Sequence, residues 1–203
     1  YYLSIIRCAE FFHKKVFIYS QGIGPIDRPG NRRAAAAALK RADGIVVRDE
    51  RSASLLEEIG IARDKVVITA DPVIRMKKPD GDVGAEILRK AGVSLDGRLT
   101  VGWAIRERDT DSRFVKELLR SIQMMKDKYN AQSVLIPFHY EEDGEVCRHI
   151  AAQIPDDTAV CLNEKYLSED MLSIIGNMDL LVGVRLHSLI YAAIMGVPLI
   201  GIS

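Results

Sequence analysis

Short apolar runs rich in Val, Ile and Leu recur along this chain, and amphipathic stretches with helical composition separate them. Near-continuous apolar strands are typical of parallel sheets that helices cover on both faces. The alternation therefore predicts an α/β fold. The predicted strands are residues 16–20, 44–48, 66–69, 99–105, 133–138, 159–162, 179–184 and 198–202. The predicted helices are residues 31–42, 50–59, 112–129, 145–153, 169–175 and 187–195.

A polar stretch with Pro and Gly at residues 76–82 interrupts this alternation and is the best candidate for a linker. We predict that residues 1–75 are the C-terminal part of a first Rossmann-like unit. Residues 76–98 are then a linker and crossover helix, and residues 99–203 a second, truncated Rossmann-like unit. Two such doubly wound units facing each other across a cleft would form a GT-B-like arrangement. The chain has no initiator Met and stops within an apolar segment, so we expect a fragment whose N-terminal unit is incomplete.

The composition excludes several classes of protein. Lys and Arg total 28, as do Asp and Glu, and this balance disfavours a nucleic-acid binder that acts through bulk positive charge. No apolar run approaches the roughly 18 residues of a membrane span. The three cysteines are an odd set without zinc-site spacing, which favours a reducing compartment. The histidines also lack metal-ligand spacing, so we expect no metal site.

Unusual polar residues follow the predicted strands, and ligands of open α/β sheets bind beyond the carboxyl ends of the strands. In the first unit, Gln21, Gly22 and Gly24 follow the first strand, Arg48 the second and Asp71 the third. The glycines fit a tight turn as well as they fit a close approach to a ligand. Arg48 is less easily explained by helix capping, whereas a simple strand end is slightly favoured for Asp71.

In the second unit, Arg106 and His139 follow two strands, and each has a solvated surface position as its alternative. Arg185, His187 and Ser188 differ because they join an apolar strand directly to an apolar helix. Backbone N–H groups at a helix N-terminus favour an anion, and local stability does not require Arg and His together. We therefore predict an anion site here, with His187 as a proton donor that becomes charged when substrate binds.

Six motifs, taken in order, resemble those of the polysaccharide pyruvyl transferases, in particular the bacterial CsaB-like branch. They are YSQGIGP at 19–25, VRDERS at 47–52, DPV at 71–73, PFH at 137–139, GVRLHS at 183–188 and GVP at 196–198. The resemblance implies a GT-B-like fold and transfer of pyruvate from phosphoenolpyruvate onto a sugar as a ketal. In this branch it implies an acceptor containing N-acetylmannosamine in a lipid-linked cell-wall precursor, whose polymer anchors surface-layer proteins.

The resemblance also matches an Arg-Leu-His motif to Arg185, Leu186 and His187, with His187 as acid/base. Phosphoenolpyruvate carries a phosphate and a carboxylate, and Arg binds both groups through paired hydrogen bonds. The anion is therefore assigned to Arg185, Arg48 and Arg106. Further substrate contacts are assigned to Gln21, Gly22, Gly24, Asp71, His139 and Ser188, of which Asp71 and His139 are expected to face the acceptor.

Two other functions stay open at this point. A GT-B glycosyltransferase or sugar-nucleotide epimerase would use the same cleft, but it usually carries an acidic residue near the last strands, and Asp179 is at the wrong end of its strand. The third hypothesis is a non-catalytic domain that binds a sugar phosphate. The donor and the cysteine usage indicate a cytoplasmic protein, and a lipid-linked acceptor would draw it to the inner membrane face.

Overall fold

The computed structural model describes residues 2–106, 112–155 and 157–202. The chain divides into two compact units, Tyr1–Ile74 and Arg75–Ser203. The helices and strands of the first unit are α1 (Tyr2–Phe11), β1 (Phe17–Gln21), α2 (Pro29–Leu39), β2 (Gly44–Val47), α3 (Glu50–Glu58) and β3 (Val66–Ile68). Those of the second unit are α4 (Val83–Lys90), β4 (Thr100–Ala104), α5 (Ser112–Tyr129), β5 (Gln132–Leu135), α6 (Tyr140–Ala151), β6 (Ala159–Cys161), α7 (Ser168–Gly176), β7 (Leu180–Gly183), α8 (Leu186–Met195) and β8 (Leu199–Gly201). Short 3₁₀ turns occupy Arg63–Lys65 and Pro72–Arg75.

The first unit contains a three-stranded parallel sheet in the order β1-β2-β3. The central strand supplies Ile45 and Val47 to the core, and α3 covers them with Ala53 and Leu56, which are fully buried. Burial of these aliphatic side chains is the main force that holds helix and sheet together. Because the three strands are parallel, their carboxyl ends all lie at one edge of this sheet.

The second unit contains a five-stranded parallel sheet in the order β6-β5-β4-β7-β8. The chain leaves β4 outward through β5 to β6, then returns to the other side of β4 for β7 and β8. The direction of winding therefore reverses between β4 and β7. Open α/β sheets bind ligands at the carboxyl ends of the two strands that flank such a switch point.

Strand β4 lies at the centre of this sheet, and all five of its residues are buried. The indole N–H of Trp103 donates to the Ser133 hydroxyl at 2.9 Å, which satisfies a polar group inside the core. Helix α4 packs on α7, where the Gly84 N–H donates to the Ser173 hydroxyl at 2.8 Å. The predicted α/β class with parallel strands is therefore confirmed in both units.

The structure differs from the prediction at two helices. Helix α1 is not among the predicted helices; it carries no acidic residue in its first turn and no basic residue in its last, so the usual signals of a helix terminus are missing. Helix α6 begins at Tyr140 and not at residue 145 as predicted. Its first turn holds Glu141, Glu142 and Asp143, and carboxylates there are stabilised by the positive end of the helix dipole.

Candidate functional site

Two arginines follow the strands that flank the switch point of the second unit. Ala104 pairs with Gly183 in the ladder between β4 and β7, and the Val184 N–H donates to the Ala104 carbonyl at 2.9 Å. Arg106 and Arg185 each come two residues after this pair. Residues 107–111, which include the charged residues that follow Arg106, lie outside the described residues. Both arginines therefore leave the same edge of the sheet.

Arg185 is the N-cap residue of α8, and its backbone is extended. His187 lies in the first turn of that helix, and its side chain is exposed to solvent. An exposed imidazole is accessible to a ligand, and the N–H groups of the first turn favour an anion next to it. The structure thus places Arg185 and His187 together at a helix N-terminus.

Asp143 holds the guanidinium group of Arg185. Its carboxylate is completely buried and accepts hydrogen bonds from Nε at 3.1 Å and from Nη2 at 2.5 Å. Glu142 adds an exposed contact, with Oε2 at 3.3 Å from Nη2. Burial lowers the pKa of Arg185, but the hydrogen bonds and charges of Asp143 and Glu142 outweigh it, so that this pKa lies above its usual value. The arginine is therefore permanently charged and fixed in orientation.

This arrangement qualifies the sequence-based assignment of Arg185. Sequence analysis assigned the guanidinium to a substrate anion, whereas its Nε and Nη2 are bound to a carboxylate of the protein itself. Sequence analysis did not single out Asp143. The only signal was the acidic run Glu141-Glu142-Asp143 at the start of a helix, in which nothing marked the third residue as buried.

The main chain of His139 also contacts Asp143, the residue that holds Arg185. His139 is the N-cap residue of α6, and its N–H donates to Asp143 Oδ2 at 2.9 Å. Its imidazole is exposed, with Nδ1 4.0 Å from Glu142 Oε2. The buried carboxylate of Asp143 therefore connects the backbone of His139 with the side chain of Arg185.

Ser188 takes a different place from the one predicted. Its side chain is completely buried, and its hydroxyl donates to the Arg185 carbonyl at 2.6 Å. A side chain added at Gly183 would overlap this hydroxyl. Because the hydroxyl is used inside the turn between β7 and α8, the structure gives Ser188 a part in positioning Arg185 in place of the predicted contact with substrate.

In the first unit, Arg48 and Asp71 form an ion pair at the ends of β2 and β3. Arg48 Nη1 donates to Asp71 Oδ2 at 2.7 Å, and both side chains are mostly buried. Gly22 lies against this guanidinium, since a Cβ at Gly22 would stand 2.6 Å from Arg48 Nε. The Arg48 N–H also donates to the Gln21 carbonyl at 3.2 Å. Four of the predicted residues thus meet at one edge of this sheet.

The loop after β1 is built as a tight turn. Gly24 has a φ of 117°, a conformation that only glycine adopts readily, and it packs against Leu55. The Ile23 N–H donates to the buried Ser52 hydroxyl at 2.8 Å. Gln21 and Gly24 are exposed. The glycines therefore serve the turn and the approach to Arg48, and Gln21 leaves its amide at the surface.

Within residues 2–106, 112–155 and 157–202, no group of three or more His, Cys, Asp or Glu side chains could hold a metal ion. None of the helices in this part of the chain is long and apolar enough to cross a membrane.

Comparison with known families identifies the chain. The family model described as polysaccharide pyruvyl transferase matches residues 1–203, so the chain belongs to the polysaccharide pyruvyl transferase family. This confirms the family that the six motifs indicated. No curated protein matches the chain.

Solved structures with similar folds include UDP-GlcNAc 2-epimerase from Methanocaldococcus jannaschii, at 14% identity and a TM-score of 0.69, over 98% of this chain and 57% of that one. HepE from Anabaena in complex with UDP-glucose matches at 13% identity and a TM-score of 0.64, over 98% of this chain and 56% of that one. UDP-GlcNAc 2-epimerase from Neisseria meningitidis bound to UDP-GlcNAc matches at 15% identity and a TM-score of 0.65, over 98% and 56%. At these identities the likeness concerns the fold alone, and it confirms the predicted GT-B-like class. The chain spans little more than half the length of these proteins.

Proposed function

We propose that this protein transfers pyruvate from phosphoenolpyruvate onto a sugar as a ketal and releases phosphate. Membership in the polysaccharide pyruvyl transferase family supports a transferase of this kind. The observation that carries the proposal is the placement of Arg106, Arg185 and His187 at the switch point of the second sheet. No other part of an open α/β sheet is so regularly used to bind a ligand.

The donor requires cations because it carries a phosphate and a carboxylate. Arg106 and Arg185, beside the N–H groups that begin α8, would supply positive charge from two strands. Asp143 fixes Arg185, so this cation needs little reorganisation when the anion binds. In the first unit, Arg48 stays a proposed anion contact, and its ion pair with Asp71 orients the guanidinium group.

The reaction needs one group that can give and accept a proton, and we assign this role to His187. A proton is delivered to the methylene carbon C3 of the donor, and one sugar hydroxyl forms a bond to C2. The C2–O bond to phosphate then breaks, and a second hydroxyl closes the ketal. The two hydroxyl protons end on C3 and on the released phosphate, so the reaction balances without a redox cofactor. General acid–base catalysis of this type is worth about 10²–10⁴ in rate.

The proposed acceptor is an N-acetylmannosamine residue of a lipid-linked cell-wall precursor. His139 and Asp71 are the residues assigned to it, and Gln21, Gly22 and Gly24 are assigned further substrate contacts. The exposed imidazole of His139 fits such a role. We propose a cytoplasmic location with contact to the inner membrane face, because phosphoenolpyruvate is a cytoplasmic metabolite and the acceptor is held in lipid.

The proposal is tested by phosphate release from phosphoenolpyruvate with and without the sugar acceptor. We expect acceptor-dependent release, and His187→Ala should lower kcat by about 10²–10⁴ while leaving the fold intact, since the side chain is exposed. His149→Ala is the matched control, because His149 is also exposed and lies on α6. A near-normal rate in His187→Ala would remove the assigned role, and no acceptor-dependent release at all would overturn the function.

One alternative has a specific observation in its favour. The similar solved structures include epimerases and complexes with UDP-sugars, which would fit a sugar-nucleotide epimerase or a GT-B glycosyltransferase. A thermal-shift comparison of phosphoenolpyruvate with UDP-GlcNAc separates the two readings, because only the true ligand raises Tm at concentrations above its Kd. Binding of phosphoenolpyruvate without any phosphate release would instead indicate a non-catalytic binding domain.

A further inference from the structure

A separate hollow of about 220 Å³ lies within the second unit. One wall is the loop that follows β5 and the start of α6, and the other is the loop that follows β6. Both loops leave the carboxyl ends of adjacent parallel strands, which is the edge where such sheets bind ligands. The hollow therefore stands where a ligand is expected, toward the outer strands and away from the switch point.

Three aromatic residues line this hollow: Phe138, Tyr140 and Tyr166. Aromatic rings offer flat apolar faces, and the C–H groups on one face of a sugar ring pack well against them. The ring of Phe138 packs against that of Tyr191, with ring centroids 5.8 Å apart. The Tyr140 hydroxyl donates to the Asn163 carbonyl at 2.8 Å and so ties the two walls together. The rings of Phe138 and Tyr140 are thus held in place before any ligand arrives.

The charged residues of the hollow disfavour an anionic ligand. Glu141, Glu164 and Lys165 line it, and each of the two carboxylates is paired with a lysine. Lys165 Nζ lies 3.0 Å from Glu141 Oε1, which joins the two walls again, and Lys90 Nζ lies 3.3 Å from Glu164 Oε1. Because both ammonium groups already have a carboxylate partner, a phosphate gains little here, whereas hydroxyl groups would find carboxylate acceptors.

The size of the hollow also restricts the ligand. Sites for drug-sized molecules measure roughly 300–1,000 Å³, and this one is smaller. It suits a single ring and not a nucleoside diphosphate. A flat aromatic lining, carboxylate acceptors and room for one ring together describe a site for a neutral sugar.

We propose that this hollow binds one neutral sugar ring. His139 lines the same hollow and lies at the start of α6, whose buried Asp143 holds Arg185. Only the identification of this ring as part of the pyruvyl acceptor rests on the proposed function. The binding itself does not depend on it.

The test is a titration of the purified protein followed by amide NMR, with N-acetylmannosamine, uridine monophosphate and inorganic phosphate as probes. We expect the sugar to shift the amide signals of Tyr140, Lys165 and Tyr166 in a saturable way. Neither phosphate nor uridine monophosphate should shift them. The site is overturned if no sugar-dependent shift occurs at these residues, or if uridine monophosphate shifts them more than the sugar does.

Two variants and one control locate the sugar. Tyr166→Ala should weaken sugar binding about 5- to 10-fold by removal of an aromatic face. Glu164→Gln, at an exposed position, removes a charged acceptor without emptying the wall and should also weaken binding. Tyr129→Ala changes an exposed tyrosine on α5 outside the hollow and should leave the affinity unchanged. An equal loss in Tyr129→Ala would overturn the proposal.

The same experiments separate this inference from the proposed function. Saturable shifts in the hollow, combined with no acceptor-dependent phosphate release, would retain the sugar site and reject pyruvyl transfer. Phosphate release that depends on a sugar, with no shifts in the hollow and normal KM in Tyr166→Ala, would do the reverse.

Discussion

The buried carboxylate of Asp143 binds Arg185 through two nitrogen atoms, across 42 residues of sequence. One partner comes from the first turn of α6 and the other from the N-cap of α8. This pair joins two loops that the sheet alone would leave independent, and it holds the residue next to the proposed proton donor His187.

Loss of the carboxylate charge of Asp143 should destabilise the folded protein. We expect Asp143→Asn to lower the free energy of unfolding by about 2–4 kcal/mol, because the guanidinium is left without its buried counter-charge. Glu142→Gln is the matched control, since it changes an exposed carboxylate on the same arginine and should cost less than about 1 kcal/mol. Urea unfolding measures both. Equal values for the two variants would contradict the importance of burial.

The close contact between α4 and α7 depends on a glycine, Gly84, at the point where the two helices meet. A Cβ at Gly84 would overlap the backbone of Ser173 and stand 2.6 Å from the nitrogen of Ile174. The backbone of Ser173 and Ile174 cannot move away as a flexible side chain could. Gly84→Ala should therefore destabilise the protein by about 2–3 kcal/mol through overpacking. Gly30→Ala is the control, because nothing lies within 4 Å of that position and it is in the first turn of α2. Thermal unfolding should leave the Gly30 variant at or above the parent Tm.

The only tryptophan reports on the core of the second unit. Trp103 donates to the buried Ser133 hydroxyl, so Ser133→Ala leaves an indole N–H unsatisfied and should cost about 1–3 kcal/mol. Ser121→Ala removes an exposed hydroxyl that bonds back to the Glu117 carbonyl of its own helix, and it should be nearly neutral. Unfolding followed by tryptophan fluorescence compares them. An unchanged midpoint in Ser133→Ala would show that the hydrogen bond contributes nothing.

Asp49 should make α3 sensitive to acid. Its side chain caps the helix, with Oδ1 2.7 Å from the Ser52 nitrogen. Hydrogen bonds from the side chain and backbone of Ser52 lower the pKa of Asp49 below 3.8, against a smaller opposing effect of burial. The resulting stabilisation is complete above about pH 5 and is lost as the pH falls through the lowered pKa.

Substitution of Asp49 tests this directly. Asp49→Ala should cost about 1 kcal/mol at neutral pH because the cap is removed. Asp49→Asn keeps a capping oxygen but cannot titrate, so its stability relative to the parent should rise as the pH is lowered from 5 toward 3. Urea midpoints over this range measure the difference. A constant difference between parent and Asp49→Asn would contradict a lowered pKa.

The strands could be predicted because a strand that is buried on both faces consists mostly of consecutive aliphatic residues, as in residues 99–105 and 179–184. The start of α8 was predictable for the same reason, since the strand and helix are joined without a spacer. Asp143 was not, because its burial is determined by a partner far along the chain. Its neighbours Glu141 and Glu142 are exposed, so composition alone made the three residues look alike.

The ion pair between Arg48 and Asp71 shows the same limit in the first unit. Sequence analysis placed both residues at strand ends, and parallel strands bring such ends to one edge. It could not show that they neutralise each other. Ser188 was misplaced because a serine beside a predicted anion site resembles a ligand, whereas only the packed turn reveals that its hydroxyl is buried.

The order of strands in the second sheet places the proposed reacting groups and the proposed sugar site at different strands. The reacting groups proposed here follow β4 and β7, whose ladder fixes them near the middle, while the aromatic hollow belongs to loops at the β5 and β6 flank. Asp143 connects the loop after β5 with Arg185, so residues of the loop after β6 are the ones that can change without disturbing this pair. Under the proposed function, such a scaffold would allow the acceptor preference to change, by evolution or by engineering, while the chemistry of the donor stays the same.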